Sequence, residues 1–290
     1  MNTKAIFLDM DGTVLDSQNK VSITIKKVID RLRSQGLYVF IATGRSAMEV
    51  KSLVPEGFEV DGIVASNGME GHINDEILFE HSLPLDLVET IIAEARKKEV
   101  YYELFPYNAP RIMMAEDQAF IERAVEDPKP EEVEINEWLS RKQAVREDIV
   151  WTETLPEQAG YSKFYFFSRT TGHIDEWKAE LERLKEHTSF TTSTSSSHNV
   201  EVMSAGINKA SGIKEMVERY NLSQEDTLAV GDSHNDLPMF EYVHHSVAMQ
   251  NAADDIKAIT DEVTEFTCDE DGVAAYLEHT FFKNKADHKA

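Results

Sequence analysis

Four short, unbroken apolar runs, each closing on a polar turn, constrain this chain most. They are residues 4–9 (KAIFLD), 37–42 (LYVFIA), 61–66 (DGIVAS) and 226–232 (DTLAVGD). A strand that is apolar at successive positions has to be buried on both faces. That is the habit of parallel sheets covered by helices, and not of half-solvated antiparallel ones. Between the first two runs, Val21, Ile25, Val28, Ile29 and Leu32 recur at helical spacing, with Ser17 or Ser22 available as cap and Gly36 as stop. Strand, helix, strand is the βαβ unit, so the expected fold class is α/β with a Rossmann-like parallel-sheet core.

The middle of the chain breaks this rhythm. Leu87, Ile91, Ile92 and Ala95 mark one amphipathic helix, and Ile174, Trp177, Leu181 and Leu184 another. Residues 101–105 and 163–168 are aromatic and strand-like, and a charged loop broken by prolines follows Asp127. After it the first pattern resumes, with Ile213, Met216, Val217 and Tyr220 on a helix face and a final helix over 271–279. The expectation is an α/β core over 1–83 and 191–290, and an inserted α+β domain over 84–190. The run TTSTSSS (191–197) reads equally as a linker or as a strand leading back into the core. A chain of 290 residues suits two compact domains.

Charge excludes some partners. With 53 acidic against 29 basic side chains the formal charge is −24. Such a chain repels nucleic acid and anionic membrane, so an anionic ligand has to be attracted locally, by a cation or by placed Lys and Arg. One cysteine, Cys268, excludes an internal disulfide framework and a zinc knuckle. The apolar run at the N-terminus is too short for a signal or a span, which leads to the expectation of a soluble, cytoplasmic protein. Oligomeric state is not readable from the sequence.

Four polar clusters fall at strand ends or helix starts. Asp9-Met10-Asp11-Gly12-Thr13 closes the first strand. Asp9 and Asp11 point to the same side of extended backbone, and Gly12 permits a sharp turn. Two such carboxylates repel unless a cation lies between them or one is protonated. Thr43-Gly44-Arg45 follows the second strand and suits an anion, although a helix cap at Thr43 would look the same. Lys209 starts a helix, where it opposes the dipole unless an anion is close. Gly231-Asp232-Ser233-His234-Asn235-Asp236 offers hard oxygen ligands of the kind Mg2+ takes, and His234 reads as a loop residue or a substrate-edge contact. Together these supply a nucleophile, a proton shuttle, anion donors and a cation site, the inventory of phosphoryl transfer.

In this order the motifs DMDGT, TGR, NKA and GDSHNDLPMF resemble those of the haloacid dehalogenase (HAD) superfamily, and more narrowly its Cof-like phosphatases with a type IIB cap. Asn67-Gly68, the stretch 247–252 (VAMQNA) and 271–274 (DGVA) are similar to that subfamily too. The resemblance implies a Mg2+-dependent phosphatase for a small phosphorylated metabolite, a sugar phosphate being one candidate. Asp9 would attack phosphorus, and Asp11 would protonate the leaving oxygen and later accept a proton from water. Asp9, Asp11 (through its carbonyl), Asp232 and Asp236 (through waters) would serve the metal. Thr43 and Lys209 would bind the transferring group, helped by backbone N–H groups around Gly12 and Gly44, with Arg45 and Asn235 in the same shell. The inserted domain would be the cap that selects substrate. Ala210 replaces a more usual Gly, and His244-His245-Ser246 stands where smaller residues are more usual. A phosphomutase, or a phospho-ligand sensor without turnover, would use the same scaffold. Arg111, Lys163 and Arg169 are candidates for a second anionic group, and Trp151, Trp177, Tyr101, Tyr102, Met113 and Met114 for cap lining or cap core.

Overall fold

The computed structural model describes residues 3–74, 76–156 and 159–283. Residues past Lys283 lie outside the described residues. The chain divides into two compact units, one running to Glu80 and resuming at Ile207, the other His81–Gly206. The first segment holds β1 (Ala5–Leu8), α1 (Ile23–Ser34), β2 (Tyr38–Ala42), α2 (Ala47–Leu53), β3 (Gly62–Ala65) and a hairpin of β4 (Glu70–Ile73) and β5 (Glu76–Glu80). The second unit follows with α3 (Leu85–Lys97), β6 (Tyr101–Pro106), β7 (Ile112–Met114), α4 (Gln118–Ala124) and α5 (Ile135–Gln143). It is completed by β8 (Val150–Thr152), β9 (Tyr161–Phe167), α6 (Thr171–Leu184), β10 (Phe190–Ser193) and β11 (Asn199–Ser204). The first unit resumes with α7 (Lys209–Arg219), β12 (Thr227–Gly231), α8 (Leu237–Tyr242), β13 (His245–Ala248), α9 (Asp254–Lys257), β14 (Glu262–Val263) and α10 (Gly272–Glu278).

The first unit is a sheet in the order β14-β13-β12-β1-β2-β3-β4-β5. It is parallel from β14 to β3 and antiparallel only through the β4–β5 hairpin. Its central strands are buried on both faces, as their composition requires. Ile6 and Leu8 of β1 point into one core with Ile25, Val28 and Ile29 of α1 and Val273 and Leu277 of α10. Ala5 and Phe7 point into the other with Ile213, Met216 and Val217 of α7 and Met239 of α8. Helix α1 starts where Ser22 accepts from the Ile25 amide at 3.1 Å, and the chain turns just past its end at Gly36, whose φ of +84° suits glycine. From β1 the chain next adds β2 and β3 on one side, and later β12 and β13 on the other. The carboxyl ends of β1 and β12 therefore flank a topological switch point, where ligands collect in open α/β sheets.

The second unit is a sheet in the order β10-β11-β9-β6-β7-β8, antiparallel except between β7 and β8. The helix faces expected at Leu87–Ala95 and Ile174–Leu184 pack with Phe164, Phe166, Val200 and Val202 into its core, Leu184 only partly buried. Sequence patterns put the return to the first unit at 191, whereas it falls at 207. Phe190 pairs with Ser204 and Asn199 with Phe167, so the Thr- and Ser-rich run belongs to the edge of the second sheet. Phe190, Val200 and Val202 bury their side chains there, which is what holds both strands in that unit. Tyr101, Tyr102, Trp177 and Met113 are core residues, and Trp151 and Met114 pack against them. Among the described residues, no helix is long and apolar enough to cross a membrane.

Candidate active site

Asp9 is the first residue after β1, and its amide still donates to the Val230 carbonyl of β12 at 3.0 Å. The strand therefore delivers this carboxylate to the sheet's carboxyl edge, where it is only 3% exposed. Lys209 Nζ, fully buried, donates to Asp9 Oδ1 at 2.6 Å and to Asp236 Oδ1 at 2.6 Å. Lys209 is the first residue of α7, whose preceding residue Asn208 caps it by accepting from Ser211 N at 3.0 Å. A position unfavourable for lysine against the helix dipole is occupied because two carboxylates wait there.

Asp236 closes a tight turn after β12. Its Oδ2 accepts from the amides of Asp232 at 2.9 Å and Ser233 at 3.0 Å. Gly231 is required beside it, since a Cβ there would come 2.5 Å from Asp236 Oδ2. Asp236 thus has both oxygens engaged by protein donors, and it orients Lys209 and the turn. Asp232 differs. Its Oδ1 is buried and has no hydrogen-bond partner among the described residues. Gly12, at φ +76°, lets the β1 loop press against it, because a Cβ at Gly12 would meet Asp232 Oδ2 at 2.1 Å.

One ammonium does not balance this much negative charge. Burial first, then the charge of Asp236, push Asp9 up to about 8 against the pull of Lys209. Burial and the charges of Asp9 and Asp236 raise Asp232 well above the usual carboxylate range. Burial alone would lower the Lys209 ammonium, but Asp236 and Asp9 outweigh it and hold it above the usual lysine range. Asp9, Asp232 and Asp236 each bring one oxygen to within 4.8 Å of the others, a spacing that could hold a metal ion. Oxygen-only donors, a buried unpartnered carboxylate oxygen and excess negative charge together fit a hard divalent cation such as Mg2+.

Asp11, two residues on, is exposed and lies outside that triplet. Arg45 grips it in bidentate fashion, Nε to Oδ2 at 2.8 Å and an Nη to Oδ1 at 2.5 Å. Arg45, expected beside the phosphate, is thus engaged with the proton-shuttle candidate, and it also donates to Asn19 Oδ1 at 3.3 Å. Thr43 is fully buried at the end of β2, and its Oγ1 accepts from the Arg45 amide at 3.1 Å across Gly44. Asn235 is buried, its Oδ1 accepting from Ser233 Oγ at 2.7 Å. His234 is exposed and paired with Asp255 at 2.8 Å, the plain loop role.

Two further residues contribute: Asn251, inside the 247–252 stretch that resembles the subfamily but with no role assigned to it there, and Glu70, which no sequence pattern singles out. Asn251, past β13, donates to Gly12 O and approaches Asp232. Glu70, buried in β4, accepts from Ser66 Oγ at 3.0 Å and from the first amide of α2, Ala47, at 3.1 Å, so it ties the β3 end to the start of α2. A motif search over strand ends has no reason to stop at Glu70. In the second unit, Arg111 pairs with Glu103, Lys163 with Glu201, and Arg169 donates to the carbonyls of Glu126 and Pro128. These cations thus serve contacts within their own unit.

Residues 6–277 match the family model of the haloacid dehalogenase-like hydrolases. The chain is 28% identical to the 5-amino-6-(5-phospho-D-ribitylamino)uracil phosphatase YwtE of Bacillus subtilis, over 95% of this chain and 97% of that protein. It is likewise 28% identical to the phosphatase YwpJ of Bacillus subtilis, over 95% of this chain and 99% of the other. A solved haloacid dehalogenase-like hydrolase from B. subtilis superposes with a TM-score of 0.78 at 25% identity, covering 96% of this chain and all of that one (100%). With its strand-end carboxylates on such a sheet, the chain belongs to the haloacid dehalogenase-like hydrolases, in their Cof-like branch, and is an enzyme of the phosphoric monoester hydrolase class.

Proposed function

We propose that this enzyme hydrolyses a small phosphorylated metabolite with Mg2+ bound, through a phosphoryl group carried on Asp9. The observation that carries the reading is the cluster of Asp9, Asp232 and Asp236, with the Lys209 ammonium paired to Asp9 and Asp236. Asp9 and Asp232 are the carboxylates that would hold the metal, joined by the Asp11 carbonyl, with Asp236 fixing the turn that carries Asp232. When bound, Mg2+ supplies positive charge that neutralises the carboxylates and the phosphate oxygens.

The chain's own groups then account for the steps. An Asp9 carboxylate oxygen attacks phosphorus as the bond to the leaving oxygen breaks, and Asp11 gives that oxygen a proton. In the second half Asp11 takes a proton from water, the water oxygen bonds to phosphorus, and the Asp9–phosphorus bond breaks to release phosphate. Lys209, Thr43 and the amides around Gly12 and Gly44 bind the equatorial oxygens. Arg45 occupies both Asp11 oxygens in the free enzyme, so one of them is released from the guanidinium for each transfer. The second unit, His81–Gly206, is read as the cap that chooses the leaving group, and a phosphorylated polyol of the kind named for YwtE belongs in any first substrate panel.

The test is phosphate release from an aryl phosphate by metal-stripped protein with and without added Mg2+. Turnover should require Mg2+, and Asp9→Asn should lower it by about 10^3-fold or more. Full activity of Asp9→Asn would end the covalent reading.

A further inference from the structure

One exposed side chain ties together three loops around the cluster without touching Asp9. Asn251 lies three residues past β13. Its Nδ2 donates to Gly12 O at 2.9 Å and to Asp232 Oδ2 at 3.3 Å, and its Oδ1 accepts from the Cys268 amide at 2.9 Å. Gly12 belongs to the loop after β1, Asp232 to the turn after β12, and Cys268 to the turn before α10. The amide has one orientation available. Flipped, its oxygen would face two acceptor oxygens and its NH2 would face an N–H donor. Because Asn251 is exposed, water could satisfy it equally well, so burial does not explain these bonds.

The consequence falls on Asp232. Asn251 and the glycine at 12 hold Oδ2 from one side, while Oδ1 stays buried with no hydrogen-bond partner among the described residues. We infer that Asn251 is a positioning residue: it holds Asp232 by Oδ2 and so presents Oδ1 to the divalent cation. The inference rests on the reading that Asp232 is a metal ligand. Groups that hydrogen-bond a ligating carboxylate set its direction, and their loss commonly costs about tenfold or more in metal affinity.

Calorimetric titration of Mg2+ into chelator-stripped protein tests it, with thermal melting run in parallel. Asn251→Ala and Asn251→Ser should each weaken Mg2+ binding about tenfold, and turnover should recover as Mg2+ is raised. Cys268→Ala keeps the backbone amide that Asn251 accepts from, so its Mg2+ affinity should stay as in the wild type. A purely structural Asn251 would lower the melting temperature of the stripped protein and leave Mg2+ affinity unchanged, which would overturn the inference. Absence of Mg2+ binding by the wild type would overturn the metal reading beneath it, a separate failure.

Discussion

In the first unit three carboxylates, Asp9, Asp232 and Asp236, lie together, and one ammonium, Lys209, pairs with two of them, Asp9 and Asp236. In the second unit the proportions are reversed: Glu103, fully buried, accepts from Arg141 at 2.6 Å, Arg111 at 2.8 Å and the Tyr101 hydroxyl at 2.6 Å. The chemical consequence follows the count of partners. Burial would raise Glu103, but Arg141 and then Arg111 outweigh it and hold it below the usual carboxylate range. Asp9 is pushed up to about 8 by burial and by its acidic neighbours. Both carboxylates are buried, so burial does not distinguish them. The difference is that one set of charges closes on itself and the other is left short of positive charge. A closed set balances its own charges, so that breaking it destabilises the fold, whereas a short one leaves a spacing that could hold a cation.

Three experiments would break or sharpen this contrast. The largest effect is expected from Lys209→Met, which removes the ammonium of the first site. Turnover of an aryl phosphate should fall about 10^3-fold. If it hardly falls, the ammonium does not act on the phosphoryl group and the two sites are more alike than they look.

Glu103→Ala should act on stability alone. It strands two guanidinium groups, one of them, Arg141, only 9% exposed, and breaking such a pair costs about 3–5 kcal/mol. The melting temperature should drop by about 10 °C. Turnover below the melt should stay close to that of the wild type. A large loss of turnover with an intact melt would move Glu103 into the catalytic machinery.

The smallest effect concerns pH. Asp9 is raised above its unfolded value, so its contribution to stability is present below the usual carboxylate range, near about 4, and is lost as pH rises through about 8. Asp232, also raised, works in the same direction. A divalent cation competes with those protons. The gain in melting temperature from millimolar Mg2+ should therefore be larger at about pH 8.5 than at about pH 5.5, by a few degrees. An increment that does not change with pH would mean the cation binds elsewhere.

Much of this site is legible in the amino-acid sequence. Asp9, Thr43 and Asp232 can be placed because each follows an unbroken apolar run, and the end of a buried parallel strand is a narrow address. Gly12 is legible as a turn. Relations between segments are not. Arg45 reads as an anion donor in its own loop, and only the packing of β1 beside β2 brings it onto Asp11. Asn251 lies 239 residues from the Gly12 carbonyl it binds. The β4–β5 hairpin escapes sequence reading because most of its residues are polar or solvent-accessible, which weakens the periodic signal.

The fate of residues 190–204 shows where local reading stops. Their composition permits linker or strand, and a strand edge can join either sheet. Burial of Phe190, Val200 and Val202 beside Phe166 decides for the second. The sequence by itself determined which segments are doubly buried strands, which helices cover them, and which carboxylates stand at the strand ends, because those follow from short-range periodicity. Only the tertiary structure decided where the second unit ends, that Asp236 has both oxygens taken while Asp232 keeps one open, and that one lysine has to serve two acids. Those outcomes depend on distances between residues far apart in the chain, and no local pattern encodes them.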